Sequence, residues 1–186
     1  MNKFKDCTVV KNFLDPQSVD TISRYMEYTL KQGSMYLDSD SVVRSYAKYA
    51  DPLIETILQN SLAHVEEVTG KQLSPTYSFA RIYLDSDFLA PHTDRPSCEY
   101  SVTVNVACVG KPWPIYMKPK GKEPIAFYLD PGDAVVYKGC EVVHWREKAE
   151  GTEITAQFML HYVDQHGEHA DLKFDKRSML GMPLNE

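Results

Sequence analysis

Apolar residues change their spacing near residue 75, and this bounds the fold of the 186-residue chain more tightly than any other feature. Upstream the period is helical. "DPQSVDTISRYMEYTLKQG" (15–33) opens with Asp-Pro, a capping carboxylate followed by a preset first turn, and ends at Gly33. Val19, Ile22, Met26 and Leu30 recur on one helical face. "DPLIETILQNSLAHVEEVTG" (51–70) repeats the design, with Leu53, Ile54, Ile57, Leu58, Leu62 and Val65 as its apolar face. Downstream the period becomes two. "TYSFARIYL", "EYSVTVNVACV", "PIYMK", "IAFYL", "DAVVYKG", "EVVHWRE" and "EITAQFMLHYV" are short strands separated by Gly, Pro and Asp clusters. "KPKGKE" (118–123) reads as a hairpin turn. The pattern predicts an α+β, mainly β, chain: an antiparallel sandwich or barrel, preceded by N-terminal amphipathic helices that need a sheet or each other to cover. One domain is expected over 1–186, with helical support in 1–74, a β core in 75–164 and a polar tail in 165–186 that docks loosely or frays.

Composition narrows the function classes. The net charge of −6 disfavours non-specific binding to nucleic acid or anionic membrane, so neither is expected as a partner. No apolar run approaches the ~20 residues that span a bilayer, and the N-terminus lacks the layout of a signal peptide. Cys7, Cys98, Cys108 and Cys140 form no C-x-x-C pair and read as free thiols, so a cytoplasmic location is expected. Nothing in the pattern assigns an oligomeric state.

The stretch "LAPHTDRPSCEYSVTVNV" places His92 two residues before Asp94, just ahead of a strand. A mononuclear iron(II) centre of the two-histidine, one-carboxylate kind needs three ligands on one face of an octahedron. H-x-D supplies two of them, and His144, 52 residues on, is the candidate third. On its own, an H-x-D reads first as a solvated loop. His64 reads as a boundary residue, His161 as packed or hydrogen-bonded, and His166 and His169 as solvated.

The surroundings of these residues carry a resemblance. "RIYLDSDFLAPHTD", with Tyr83 nine residues before His92, "LDPGDAVVYKGCEVVHWRE", with Gly132 twelve before His144, and "ITAQFMLHYVD" together resemble the core of the iron(II)- and 2-oxoglutarate-dependent oxygenases, in particular the prolyl-hydroxylase-like branch. The resemblance implies a double-stranded β-helix (jelly-roll, cupin-like) core over 77–164, with the N-terminal helices buttressing the sheet from one side. It implies Fe(2+) held by His92, Asp94 and His144, with 2-oxoglutarate and dioxygen as cosubstrates. The implied reaction hydroxylates a C–H bond of a peptidyl residue or a small metabolite, releasing succinate and carbon dioxide. With Asp94 present, halide has no vacant ligand position.

The chain departs from the family at one point. The family's basic residue about ten positions after the distal histidine is replaced by Glu153, Ile154 and Thr155. Arg146 is the substitute, because on an extended strand it shares the face of His144; its other reading is an ion pair with Glu147, Glu150 or Glu99. Tyr83 is the expected hydroxyl donor to the cosubstrate, or else a core aromatic bonded to backbone. Thr155, Gln157 and Asn105 are further polar candidates for the cosubstrate, with Ser101 and Thr103 on the Asn105 side of its strand. Lys138 is a weaker candidate cation. Arg81 and Arg95 are candidate substrate contacts, Arg95 alternatively a partner of Asp94 or a surface ion pair. Trp113 and Trp145 are rim or packing aromatics. Two other readings stand beside this one. A cupin-like metal-dependent dioxygenase or isomerase would not use 2-oxoglutarate, and a non-catalytic β-sandwich would bind a peptide or sugar with H-x-D incidental.

Overall fold

The structure, a computed structural model, describes residues 4–182. Its strands are β1 (Cys7–Val10), β2 (Tyr36–Ser39), β3 (Val43–Tyr49), β4 (Leu73–Leu84), β5 (Phe88–His92), β6 (Tyr100–Gly110), β7 (Ile115–Lys118), β8 (Ile125–Phe127), β9 (Ala134–Tyr137), β10 (Val143–Arg146) and β11 (Thr152–Asp164). The helices are α1 (Pro16–Lys31), α2 (Pro52–Asn60) and α3 (Leu62–Thr69). The strands form one antiparallel sheet in the order β1-β9-β6-β11-β4-β3-β5-β10-β7-β8, with β2 on β3. Ile115 and Met117 of β7 pack with Val135 and Tyr137 of β9, although β7 and β9 lie towards opposite ends of that order. The sheet has therefore curled until its two ends share a core.

Alternation along the central strands explains the layering. Val102, Val104 and Val106 of β6, Phe158, Leu160 and Tyr162 of β11, and Ala80 and Ile82 of β4 face the helices, packing with Ile22, Met26, Ile54, Leu58 and Val65. The opposite face of the same strands carries Thr103, Gln157, Met159, His161, Tyr77, Phe79, Arg81 and Tyr83, which line the interior of the curl. Both faces are buried, one by apolar packing and one as a polar cavity.

The Asp-Pro signals start helices as expected. Asp15 accepts from the backbone N–H of Gln17 and Ser18, and Asp51 from those of Leu53 and Ile54. Two expectations need correction. The helix expected over 51–70 is two helices that break at Ser61, where Asn60 and Ser61 place two weak helix formers in succession. The N-terminal third is not wholly helical either, since β1, β2 and β3 lie within it.

The tail also differs from the expectation of a loosely docked or frayed segment. The guanidinium of Arg177 is 2% exposed and the carboxylate of Glu55 1% exposed; they pair at 2.5 Å, and Arg177 also donates to the carbonyls of Thr76 and Phe174. Asp175 accepts from Arg95, Ser97 and Tyr49. These bonds hold Phe174, Asp175 and Lys176 at φ of 56°, 55° and 62°, a left-handed run that side chains disfavour. Residues 183–186 of the tail lie outside the described residues. Among the described residues no helix is long and apolar enough to cross a membrane.

Candidate metal centre

His92 ends β5, and His144 sits directly opposite it on the antiparallel neighbour β10. Paired residues project to the same side of a sheet, so the two rings meet inside the curl with centroids 4.3 Å apart. Each Nδ1 lies 2.9 Å from a carbonyl two residues back, Ala90 for His92 and Val142 for His144. A carbonyl only accepts, so each Nδ1 carries the proton and each Nε2 presents a lone pair. Those Nε2 atoms lie 3.6 and 3.5 Å from Oδ1 of Asp94.

Asp94 follows the end of β5, where the chain leaves the sheet and its backbone N–H donates to the carbonyl of Gly139. Gly139 passes behind the carboxylate so closely that a Cβ there would stand 2.5 Å from Asp94 Oδ2 and 2.2 Å from the carbonyl of Cys98. Only glycine fits. Burial works to raise the Asp94 carboxyl, but the imidazoles of His144 and His92 outweigh it and hold the group well below the usual carboxylate range. Burial likewise works to lower His92, and Asp94 outweighs it, for a net rise. Two lone pairs and a carboxylate oxygen thus converge on one point. Electrostatics demands positive charge there, either a proton or a metal ion. The donor set of two imidazole nitrogens and one carboxylate oxygen suits a divalent iron, nickel or cobalt ion with open positions.

The cavity at this cluster has a volume of about 130 Å³. Of the residues expected to contact cosubstrate, Tyr83 and Gln157 line it. Arg146, Asn105 and Thr155 instead line an adjoining cavity of about 170 Å³ that does not reach the metal cluster. The Arg146 Nη2 bond to Gln157 Oε1 at 2.5 Å joins the two spaces. Arg146 also donates to the carbonyl of Trp113 at 2.7 Å and forms no ion pair among the described residues. The alternative of a pair with Glu147, Glu150 or Glu99 is therefore not realised: Glu147 accepts from Trp145, and Glu99 from the backbone N–H of Asp164. Burial pulls the Arg146 pKa down to about 10. Its Nε, the Tyr83 hydroxyl and Asn105 Oδ1 are all buried without a hydrogen-bond partner among the described residues. Thr155 makes only a long contact, 3.9 Å, to the sulfur of Cys108.

The expected substrate contacts separate. Arg81 lines the metal cavity, held by Asp38 at 3.0 Å and Ser45 at 2.6 Å. Arg95 does not line it; its guanidinium is turned away to Asp175 and lies over the ring of Tyr77. Lys138 pairs with Glu141 away from the cavity. Trp145 stacks on Tyr116, whereas Trp113 meets Tyr83 edge-on. His161 is buried and hydrogen-bonded as expected, and burial pushes its pKa down to about 4. Ser101 and Gly139 also contact Asp94, and neither stood out as a site residue in the sequence. The one available signal was that Ser101 shares the inward face of β6 with Thr103.

No protein-family profile matches the sequence, and no curated protein matches it. Solved structures do. A Pseudomonas putida prolyl-4-hydroxylase superposes with a TM-score of 0.71 at 11% identity, covering 86% of this chain and 92% of its own. A 2OG-Fe(II) oxygenase family oxidoreductase from Burkholderia pseudomallei gives 0.71 at 15% identity, with 87% and 86% covered. The non-heme alpha-ketoglutarate-dependent epimerase SnoN of nogalamycin biosynthesis gives 0.72 at 12% identity, with 97% and 91% covered. The curled antiparallel sheet, with its paired histidines and nearby aspartate, is the double-stranded β-helix fold of the 2OG-Fe(II) oxygenases.

Proposed function

We propose that this protein is an iron(II)- and 2-oxoglutarate-dependent oxygenase that hydroxylates a C–H bond of a peptidyl residue or a small metabolite. The observation that carries the reading is the convergence of His92 Nε2, His144 Nε2 and Asp94 Oδ1, with both imidazoles locked by their Nδ1 bonds in the tautomer that binds metal. The partnerless Tyr83 hydroxyl and Arg146 Nε support the cosubstrate half of the reading. Structural neighbours support both substrate classes. One is a prolyl hydroxylase in complex with a peptide fragment, and another holds nickel, 2-oxoglutarate and hygromycin B.

When bound, iron(II) with 2-oxoglutarate supplies oxidation of an unactivated C–H bond by dioxygen, coupled to formation of succinate and carbon dioxide. The chain's own part is to bind and orient. His92, His144 and Asp94 would hold the metal from one side of the cavity. The Tyr83 hydroxyl, buried without a partner among the described residues, would donate to a carboxylate of the cosubstrate. The Gln157 amide nitrogen, whose acceptor is the thioether of Met159 at 3.6 Å, is free to do the same. Arg146 supplies positive charge behind Gln157, where burial strengthens its field. Arg81, already oriented by Asp38 and Ser45, faces the substrate.

The test is an anaerobic titration with iron(II), then 2-oxoglutarate, following the visible charge-transfer band of the chelate. A saturable band is expected, lost in His92→Ala and Asp94→Ala. Iron binding without the band would favour a cupin-like enzyme that does not use 2-oxoglutarate. No iron binding would refute the proposal.

A further inference from the structure

Behind Asp94, on the side of Oδ2, lies a buried polar cluster. Ser101 is fully buried and its Oγ is 3.1 Å from Asp94 Oδ2. His161 is 4% exposed, and its Nδ1 is 2.9 Å from the same Oγ. A serine hydroxyl has one proton to give. An ionised carboxylate only accepts, so that proton goes to Asp94. The other acceptor in reach, the carbonyl of Cys98, is both longer at 3.3 Å and uncharged. Ser101 then accepts from His161 Nδ1–H, and the bonds run from His161 to Ser101 to Asp94.

The anchor of this relay is rigid. His161 on β11 and Ser101 on β6 are directly opposed in the ladder. The His161 ring packs on Tyr77 at 4.5 Å, and Tyr77 is bonded through its hydroxyl to Cys98 Sγ at 3.0 Å. Asp94, Cys98 and His161 lie close enough together to suggest a second metal site. Asp94 Oδ2, Cys98 Sγ and His161 Nδ1 are already hydrogen-bonded, however, and the backbone of Gly139 fills the space beside Asp94 Oδ2 and Ser101 Oγ. The cluster is built to hold a carboxylate.

We propose that Ser101 and His161 are positioning residues for the metal-ligating aspartate. The relay engages Oδ2, so Oδ1 alone faces the two Nε2 atoms and Asp94 offers the metal a single oxygen. This inference rests on the metal-centre reading above and adds two residues outside the H-x-D motif that set its ligand geometry.

Cobalt(II) titration under anaerobic conditions tests it without turnover. Ser101→Ala and His161→Leu are expected to weaken metal binding about 10- to 100-fold, the range for loss of a group that orients a ligand. They should also alter the visible cobalt spectrum as the freed carboxylate offers both oxygens. His161→Asn, whose amide N–H replaces the Nδ1 donor, is expected to restore affinity to within about threefold of the parent, scaled against the same loss. Cys98→Ala empties space in the same pocket without breaking the relay and should change affinity by less than about twofold, well below that loss. Parent-like affinity in Ser101→Ala overturns the proposal. So does an equal loss in Cys98→Ala, which would mean general loosening. Should Ser101→Ala not fold, the His161→Leu and His161→Asn pair carries the same comparison. A parent protein that binds no metal would overturn the metal-centre reading and this inference with it, an outcome distinct from parent binding that the variants leave unchanged.

Discussion

Arg146 is a buried cation without an anion, and replacing it separates structural from functional roles. In Arg146→Met the long stem is kept and the charge removed. Two opposing effects act on the protein without cosubstrate. The variant loses the bonds to the carbonyl of Trp113 and to Gln157 Oε1, each worth about 1.5–3 kcal/mol as a charged hydrogen bond. It also escapes the desolvation penalty of an ion that is 3% exposed and unpaired, several kcal/mol for a single buried charge. The two nearly cancel, so urea unfolding should shift by less than about 1–2 kcal/mol in either direction. Binding of 2-oxoglutarate has no such compensation. Loss of the buried charge that acts through the Gln157 amide, taken at about 1.5–3 kcal/mol, the worth of a hydrogen bond to a charged group, weakens the complex about 10- to 150-fold. Isothermal titration of the iron-loaded protein gives the second number and urea unfolding the first. Unchanged 2-oxoglutarate affinity would refute the clamp role. So would a destabilisation of about 3 kcal/mol or more, the signature of breaking a paired structural charge.

Two further outcomes concern the tail. Arg177→Met strands the buried carboxylate of Glu55 and should cost about 3–5 kcal/mol in urea unfolding with m unchanged; a change within about 0.5 kcal/mol would mean that the tail is not docked in solution. Burial raises the Asp175 carboxyl, but Arg95, Tyr49 and Ser97 outweigh it and bring it to about 2, below the ordinary 3.8. A depressed carboxylate adds stability above its ordinary pKa and loses it as pH falls through the folded value. The parent should therefore lose about 1–2 kcal/mol more than Asp175→Asn between pH ~5 and pH ~2. Parallel pH profiles for the two proteins would contradict this.

The elements that could be read from sequence are those whose signal is local. Asp15-Pro16 and Asp51-Pro52 each combine a cap and a fixed first turn within two residues, and both start helices. β3 escaped notice because its alternation is blurred on both faces. Val43 and Ala47 are buried on one face, but the polar Ser45 stands between them, and the other face carries the aromatic Tyr46, only partly buried, between Arg44 and Lys48. The tail escaped for a related reason. It docks through Asp175 and Arg177, whose partners Arg95 and Glu55 lie far away in sequence, and a polar segment held by ion pairs has no hydrophobic period to read.

The same distinction runs through the site. His92 and His144 could be named from the H-x-D motif and the resemblance of their surroundings; it is strand register, which no local pattern states, that places them face to face. The charge that the site requires is harder to place. The sequence puts Arg146 on the His144 face, which is correct for the strand, but a direction along a strand does not say which of two cavities a long side chain enters. Gln157 stands between Arg146 and the metal cavity. The far end of the cosubstrate would then meet neutral donors from Tyr83 and Gln157 first, with the guanidinium acting through the amide. In that arrangement a basic residue at the start of the last strand would not be needed: the charge would come from Arg146 on the facing strand, and Gln157 on the last strand would transmit it.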